Sequence, residues 1–328
     1  MANVVITVHK SRLEQFGITP PADWDVALLD NPFTEKELLA AAKDAEYLLV
    51  ESGDKITKEV IDACPHLKMI QTEGVAFDKV DGVAAREKGI LLCNNKGVNA
   101  AAVAEHTIGL ILAGLRRTAL TDRQIRHTGY AVTKAEHFAM GEHELTDKLI
   151  GFVGMGDIAK ATAKRLENWG CRFAYYDVFR MNAEAEAEYH VQYMEYEELV
   201  KAADVISLHV PVLPSTIGML GEEQFRAMKK TALVINTSRG EIIDQDALIR
   251  ALENDEIYGA ALDVFIPEPL PADAPLLNMS KKAMDKLTLT PHVAGATDEA
   301  FTQMLIKSMA NIQRMMDGDE PINIVNRK

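Results

Sequence analysis

The sequence predicts an α/β protein built from two doubly wound parallel sheets. Three observations carry this. At 328 residues the chain is long enough for two domains of ordinary size. Short apolar runs alternate with amphipathic helical stretches from end to end, the rhythm of a parallel sheet covered on both faces. A long helical stretch over 100–126 interrupts that rhythm once, and a second series begins after it.

In the first series Val4–Val8, Tyr47–Val50, Lys68–Ile70 and Ile90–Leu92 read as strands. Helices fall near Thr34–Lys43, Thr57–Ala63 and Asp78–Lys88. Thr34 and Glu37 have the spacing of a capping box, each side chain satisfying a free amide of the first turn. Ala100–Arg126 reads as one long helix, and His127–Asp147 as a polar connection. The second series has strands at Leu149–Val153, Arg172–Tyr176, Val205–Leu208, Leu233–Asn236, Gly259–Leu262 and Leu287–Leu289, and a last helix over Asp298–Met316. Strands in that order suit a Rossmann sheet. Pro267, Pro269, Pro271 and Pro275 force an irregular loop, and Glu184–Glu188 reads as a solvated acidic face.

Charge excludes several partners. The 35 Lys and Arg against 49 Asp and Glu leave a net charge of −14, wrong for nucleic acid or an anionic membrane surface. Cys64, Cys93 and Cys171 are widely spaced, so neither a disulfide framework nor a zinc knuckle is expected. The histidines show no metal-ligand spacing, and no metal site is expected. The first residues read as a strand rather than a leader, and the apolar run Ile108–Leu115 is far too short to span a bilayer. A soluble cytoplasmic protein is expected.

Leu149–Val153 runs straight into Gly154-x-Gly156-x-x-Ala159 and then a helical pattern. Gly154 permits a tight turn, Gly156 lets the backbone approach a pyrophosphate, and a small residue at 159 lets helix and strand pack closely. The pyrophosphate would lie on the free amides of the helix start. A second strand ends in Asp177, placed to accept hydrogen bonds from ribose hydroxyls and to repel a 2′-phosphate. The combination predicts NAD in preference to NADP, against the presence of Arg180 nearby, which could receive a 2′-phosphate.

Two charged residues fall where an open α/β sheet binds ligands. Arg239 follows the strand Leu233–Asn236 and can fork onto a carboxylate and its neighbouring ketone oxygen. His292 follows Leu287–Leu289 and can exchange a proton with that oxygen. Glu268, in the proline-bounded loop, can bond the other imidazole nitrogen, favouring the imidazolium.

Several motifs in order resemble the D-2-hydroxyacid dehydrogenases, the D-isomer-specific NAD-dependent family, over nearly the whole chain. They are Gly74-Val-Ala-Phe-Asp-Lys-Val-Asp81, Lys88-Gly-Ile90, Asn99-Ala-Ala-Ala-Val-Ala-Glu105, Leu208-His-Val-Pro211, Asn236-Thr-Ser-Arg-Gly240, Ala260-Ala-Leu-Asp-Val-Phe265 and Thr290-Pro-His-Val-Ala294. The resemblance implies a Rossmann cofactor domain, 100–296, inserted into a flavodoxin-like substrate domain made of 1–99 and 297–328, with the active site in the cleft. It implies Arg239, Glu268 and His292 as catalytic residues, and reversible hydride transfer between NADH and the C2 carbonyl of a 2-oxo acid. The substrate carboxylate is expected on Arg239 and the amides of Gly74, Val75 and Ala76, with His292 at the carbonyl. Val75 and Thr237 are expected near the nicotinamide half and Asp263 at its carboxamide. Val210 and Pro211 are expected on the adenine side, and Asp157 and Ile158 at the pyrophosphate helix. Asp157 departs from the family pattern, and an acid there repels pyrophosphate. A homodimer paired through the cofactor domain is also implied. The competing reading on the same fold is an NAD-sensing, corepressor-like binding protein without turnover.

Phosphoglycerate-handling relatives carry arginines where this chain has Glu51 and Thr72, with Glu73 adjacent. A small neutral or cationic 2-oxo acid is therefore expected rather than a phosphorylated one, unless Glu51 and Glu73 face solvent or pair with Lys55.

Overall fold

The computed structural model describes residues 2–327. The chain divides into two compact units, Met1–Asn99 with Ala296–Lys328, and Ala100–Gly295.

The first unit is a five-stranded parallel sheet: β1 (Ala2–Ile6), β2 (Trp24–Leu28), β3 (Tyr47–Val50), β4 (Met69–Thr72) and β5 (Leu91–Cys93), in the spatial order β2-β1-β3-β4-β5. This is the flavodoxin-like order. Both faces are buried at the central strands, so these are largely apolar and alternate residues feed separate cores. Val5, Leu48 and Ile70 pack with Leu38, Val60 and Ile61 of the helices Glu35–Ala42 and Lys58–Ala63. Val4, Ile6, Leu49 and Met69 pack on Leu305, Met309 and Ile312 of the last helix, Asp298–Met316. The capping box at Thr34 forms as its spacing predicts.

The second unit is a seven-stranded parallel sheet: β6 (Leu149–Val153), β7 (Arg172–Tyr176), β8 (Val191–Tyr193), β9 (Val205–Leu208), β10 (Leu233–Asn236), β11 (Gly259–Leu262) and β12 (Leu287–Leu289). Their order, β12-β11-β10-β9-β6-β7-β8, reverses direction at β6/β9, the crevice where Rossmann sheets take their ligand. One face buries Ile206, Val234 and Ala260, the other Phe152, Val205, Ile235 and Ala261.

The structure differs from the sequence reading in several places. β1, β4 and β5 are shifted by one or two residues from the expected Val4–Val8, Lys68–Ile70 and Ile90–Leu92. β2 and β8 were not expected; both are edge strands, where exposed polar residues such as Asp25 and Gln192 dilute the apolar signal. The expected helix Ala100–Arg126 is two helices, Ala100–Leu115 and Thr118–Thr128, broken where Arg117 takes a left-handed conformation (φ 48°). Its side chain is held there by Tyr258, whose hydroxyl accepts from Nε at 3.1 Å. The expected polar connection contains a further helix, Tyr130–Met140, bracketed by Gly129 and Gly141. Among the described residues no helix is long and apolar enough to cross a membrane.

Candidate active site

In the second unit β6 ends in the glycine turn. Gly154 has φ +90°, and a Cβ there would lie 2.8 Å from the carbonyl oxygen of His209, so the turn accepts only glycine. Its amide donates to Tyr176 O (2.8 Å), and that of Met155 to Asp177 Oδ2 (2.8 Å). Asp177 thus braces the turn from the end of β7, and its Oδ1 accepts from the Phe179 amide (3.1 Å). Gly156 is the N-cap of the helix Asp157–Leu166 and offers no side-chain cap. The first amide with an acceptor is that of Lys160; those of Asp157, Ile158 and Ala159 have none among the described residues. A Cβ on Gly156 would meet nothing within 4 Å, so open space lies before these amides. Free amides, open space and an adjacent carboxylate are what a dinucleotide requires, and the residues fit one.

Three neighbours refine the cofactor reading. Arg180 donates from Nε to Glu186 Oε1 (2.9 Å) and lies over the Tyr193 ring (5.0 Å), which engages its charge elsewhere. Asp157 is exposed at the helix start. Val210 is half-buried and Pro211 exposed beyond β9, next to the half-buried His209, whose pKa burial of the ring lowers to about 3.

Arg239 is set by an Asn turn at the end of β10. Asn236 Oδ1 accepts from the Ser238 amide (3.0 Å) and hydroxyl (2.8 Å), while Nδ2 donates to Arg239 O (2.8 Å). The next residue packs against β11's exit so closely that a Cβ on Gly240 would lie 2.1 Å from the Phe265 carbonyl. Thr237 is buried, its hydroxyl 3.0 Å from that of Thr107.

Beyond β12, His292 sits at φ +54° in a loop held by one buried carboxylate. Asp263, fully buried after β11, accepts the His292 amide on its carbonyl (2.8 Å). Its Oδ1 accepts from Thr290 Oγ1 (2.5 Å) and the Val293 amide (3.0 Å), its Oδ2 from the Ala294 amide (2.8 Å). Burial pushes the Asp263 pKa up, but hydrogen bonds from His106, Thr290 and these amides outweigh it and leave the net shift downward. His106, 3.0 Å from the Thr290 hydroxyl and 3.5 Å from Asp263 Oδ1, completes the support. In the sequence His106 lies within an apolar helical pattern, which does not point to this role.

Glu268 comes from the proline loop. Its Oε1 accepts from the Phe265 amide (2.8 Å) and its Oε2 lies 2.7 Å from His292 Nδ1. His292 Nε2 has no protein partner among the described residues. The pair borders a cavity of about 710 Å³ that Leu270, Leu277 and Leu289 line on its apolar side. Arg239 bonds neither residue; its Nη1 donates to Ser238 O (2.7 Å).

In the first unit Gly74, Val75 and Ala76 form a loop beyond β4. The neighbouring acids do not pair with Lys55. Arg12 Nη1 donates to Glu73 Oε1 (3.1 Å) and lies 3.3 Å from Glu51 Oε1, with its guanidinium 4.4 Å over the Phe301 ring. Asp54 joins them through Asn31 and Thr7. Burial, with repulsion from Glu51 and Asp54, raises the Glu73 pKa to about 7 against the pull of Arg12. Nothing in the sequence pattern pointed to Arg12.

The family model described as D-isomer specific 2-hydroxyacid dehydrogenase, NAD binding domain, matches residues 108–294. The chain belongs to this family. It is 40% identical to a glyoxylate reductase of Thermofilum pendens, over 91% of this chain and 86% of that one. It is 36% identical to a D-3-phosphoglycerate dehydrogenase of Methanocaldococcus jannaschii, over 89% of this chain and 54% of that one. The crystal structure of D-lactate dehydrogenase from Aquifex aeolicus complexed with NAD and lactic acid superposes with a TM-score of 0.82 at 29% identity, covering 99% of this chain and 100% of that one. This dehydrogenase is thus an NAD-dependent oxidoreductase that interconverts 2-oxo and 2-hydroxy acids.

Proposed function

We propose that this dehydrogenase reduces a small unphosphorylated 2-oxo acid, of which glyoxylate is the simplest, to the 2-hydroxy acid. The observation that carries the reading is the Glu268–His292 pair, with Nδ1 engaged at 2.7 Å and Nε2 free. Bound NADH supplies the hydride that reaches C2. Arg239 receives the substrate carboxylate and polarises the carbonyl, its guanidinium offering a planar fork of donors. His292 Nε2 delivers a proton to the carbonyl oxygen as negative charge develops there, and Glu268 holds the ring in the tautomer that allows it. The amides of Gly74, Val75 and Ala76 share the carboxylate. Gly154, Gly156, Asp157, Ile158 and Ala159 hold the pyrophosphate, Asp177 the adenosine ribose, Val210 and Pro211 the adenine, and Val75 and Thr237 the nicotinamide. Asp263, which binds the His292 loop with both oxygens, supports the nicotinamide end by holding that loop rather than by free donors or acceptors.

The preference against phosphate rests on charge. At the ends of β3 and β4 the carboxylates of Glu51 and Glu73 both engage the guanidinium of Arg12, and Asp54 lies behind them on Thr7, Asn31 and the Glu51 amide. A phosphorylated side chain would meet these acids, with Arg12 already engaged by two of them. Initial rates with NADH and glyoxylate, pyruvate, hydroxypyruvate and phosphohydroxypyruvate test this; a kcat/KM highest for the phosphorylated acid would reverse it. Three free thiols, two of them buried, agree with a reducing cytoplasm, and a homodimer is proposed from the family resemblance. Sedimentation checks the latter.

A further inference from the structure

Residues 73–76 carry three carbonyls and three amides with opposite fates. Each of the carbonyls of 73, 74 and 75 accepts from one neighbouring dipeptide, and Gly74 O also from the Thr72 hydroxyl (3.3 Å). Asn95 Nδ2 donates to Glu73 O (2.6 Å), the Asn95 amide to Gly74 O (2.9 Å), and Asn94 Nδ2 to Val75 O (2.7 Å). The amides of Gly74, Val75 and Ala76 have no acceptor among the described residues.

These facts are linked by covalent geometry. In a planar trans peptide the C=O of one residue and the N–H of the next point in opposite directions. Holding the carbonyls of 73, 74 and 75 toward Asn94 and Asn95 therefore turns the amides of 74, 75 and 76 away from them. A regular strand would alternate these directions; here they converge.

Both side chains are buried and committed to this loop. Asn94 is buried, its Nδ2 is spent on Val75, and its Oδ1 has no partner, so the residue is kept for its donor at the cost of an unsatisfied acceptor. Asn95 is equally buried, and its Nδ2 also lies 2.9 Å from Met304 O and 2.8 Å from Ser308 Oγ, tying the loop to the helix Asp298–Met316.

We propose that Asn94 and Asn95 are positioning residues for the substrate carboxylate, aiming the amides of Gly74, Val75 and Ala76 by holding the carbonyls behind them. This rests on the reading that those amides receive the carboxylate. The contact is made in ground state and transition state alike, so its loss raises KM and leaves kcat nearly unchanged.

Three variants, Asn94→Ala, Asn94→Asp and Ala76→Pro, test the proposal, assayed with glyoxylate and NADH from pH 5 to 9. Asn94→Ala raises KM for glyoxylate about tenfold, the scale of one hydrogen bond, with KM for NADH unchanged. Its melting temperature stays close to that of the parent, because the unsatisfied oxygen leaves with the donor. Asn94→Asp sets a carboxylate against the Val75 carbonyl at pH 8, and burial raises its pKa. At low pH the protonated acid donates to that carbonyl and KM returns toward the parent value. Glu73, Glu51, Asp54 and Arg12 titrate or carry charge nearby in both proteins, so the quantity read is the ratio of variant to parent KM. Ala76→Pro removes one of the amides and tests the underlying reading. If it raises KM while both Asn94 variants stay within twofold of the parent, the positioning role is overturned and the loop reading stands. If none of the three moves KM, the loop reading falls and the proposal with it. A raised but pH-independent ratio for Asn94→Asp marks a purely structural role and also overturns it.

Discussion

Glu268 divides its carboxylate between two partners: Oε1 accepts from the Phe265 amide at 2.8 Å and Oε2 meets His292 Nδ1 at 2.7 Å. The first bond anchors the acid to its own loop, so the second orients the imidazole rather than following it. Replacing His292 by Ala is expected to lower kcat for glyoxylate reduction by about 10²–10⁴. Glu268→Gln keeps an acceptor for Phe265 but turns a donor toward Nδ1, and a smaller loss, about tenfold to a hundredfold, is expected. Stopped-flow NADH oxidation at saturating substrate measures both; parental turnover in the His292 variant refutes the proton-transfer role.

Asp263 is the residue that keeps His292 in its left-handed conformation. It holds Thr290, His292, Val293 and Ala294 from a fully buried position. Hydrogen bonds to a charged group are each worth about 1.5–3 kcal/mol, and Asn would turn an amide donor on backbone donors. Asp263→Asn is expected to cost about 2–4 kcal/mol of stability in urea denaturation and to lower kcat together with it.

Gly240 lets Arg239 stand where it does. An added Cβ would lie 2.1 Å from the Phe265 carbonyl, a backbone atom that cannot swing aside. Gly240→Ala is expected to destabilise by more than about 2 kcal/mol or to displace the Arg239 turn. A melting curve with a glyoxylate KM checks it, and a variant indistinguishable from the parent in both would contradict the geometry.

Asp177 braces the glycine turn through Met155 at the end of β7. Asp177→Ser is expected to raise KM for NADH at least tenfold and to narrow the preference over NADPH. Arg180→Ala, whose charge is spent on Glu186, is expected to leave that preference unchanged.

Glu73 couples stability to pH. Its pKa, raised from 4.5 to about 7 by burial first, means the folded protein binds a proton that the unfolded chain has released between those values. Stability contributed by this group is present below about pH 4.5 and is lost as pH rises through 7. Glu73→Gln removes that penalty, so its stability advantage should reach about 3 kcal/mol at pH 8 and vanish near pH 4.5. Urea midpoints at the two pH values decide it.

Much of the fold is legible in the sequence because parallel strands buried on both faces are nearly continuous apolar runs. β3, β6, β7, β9, β10, β11 and β12 coincide with their sequence-predicted limits. The edge strands β2 and β8 were hidden by their polar residues, and the break at Arg117 by a conformation stabilised from Tyr258, 141 residues away. Within the site, Gly154, Gly156 and Asp177 announce themselves by spacing, and Arg239 and His292 by following strands. Arg12, Asn94 and His106 carry no such signal, because their partners lie far along the chain.

What the sequence by itself determined is local: the period of each run, the glycines where no Cβ fits, and the residue types at the strand ends. Tertiary structure alone decided which charges neutralise one another. Glu51 and Glu73, read from the sequence as acids facing the substrate unless turned to solvent or Lys55, share the guanidinium of Arg12, and both carboxylate oxygens of Asp263 hold the His292 loop. A hydrogen bond depends on distances of a few tenths of an ångström between segments that only the folded sheets bring together, and no one-dimensional pattern records them.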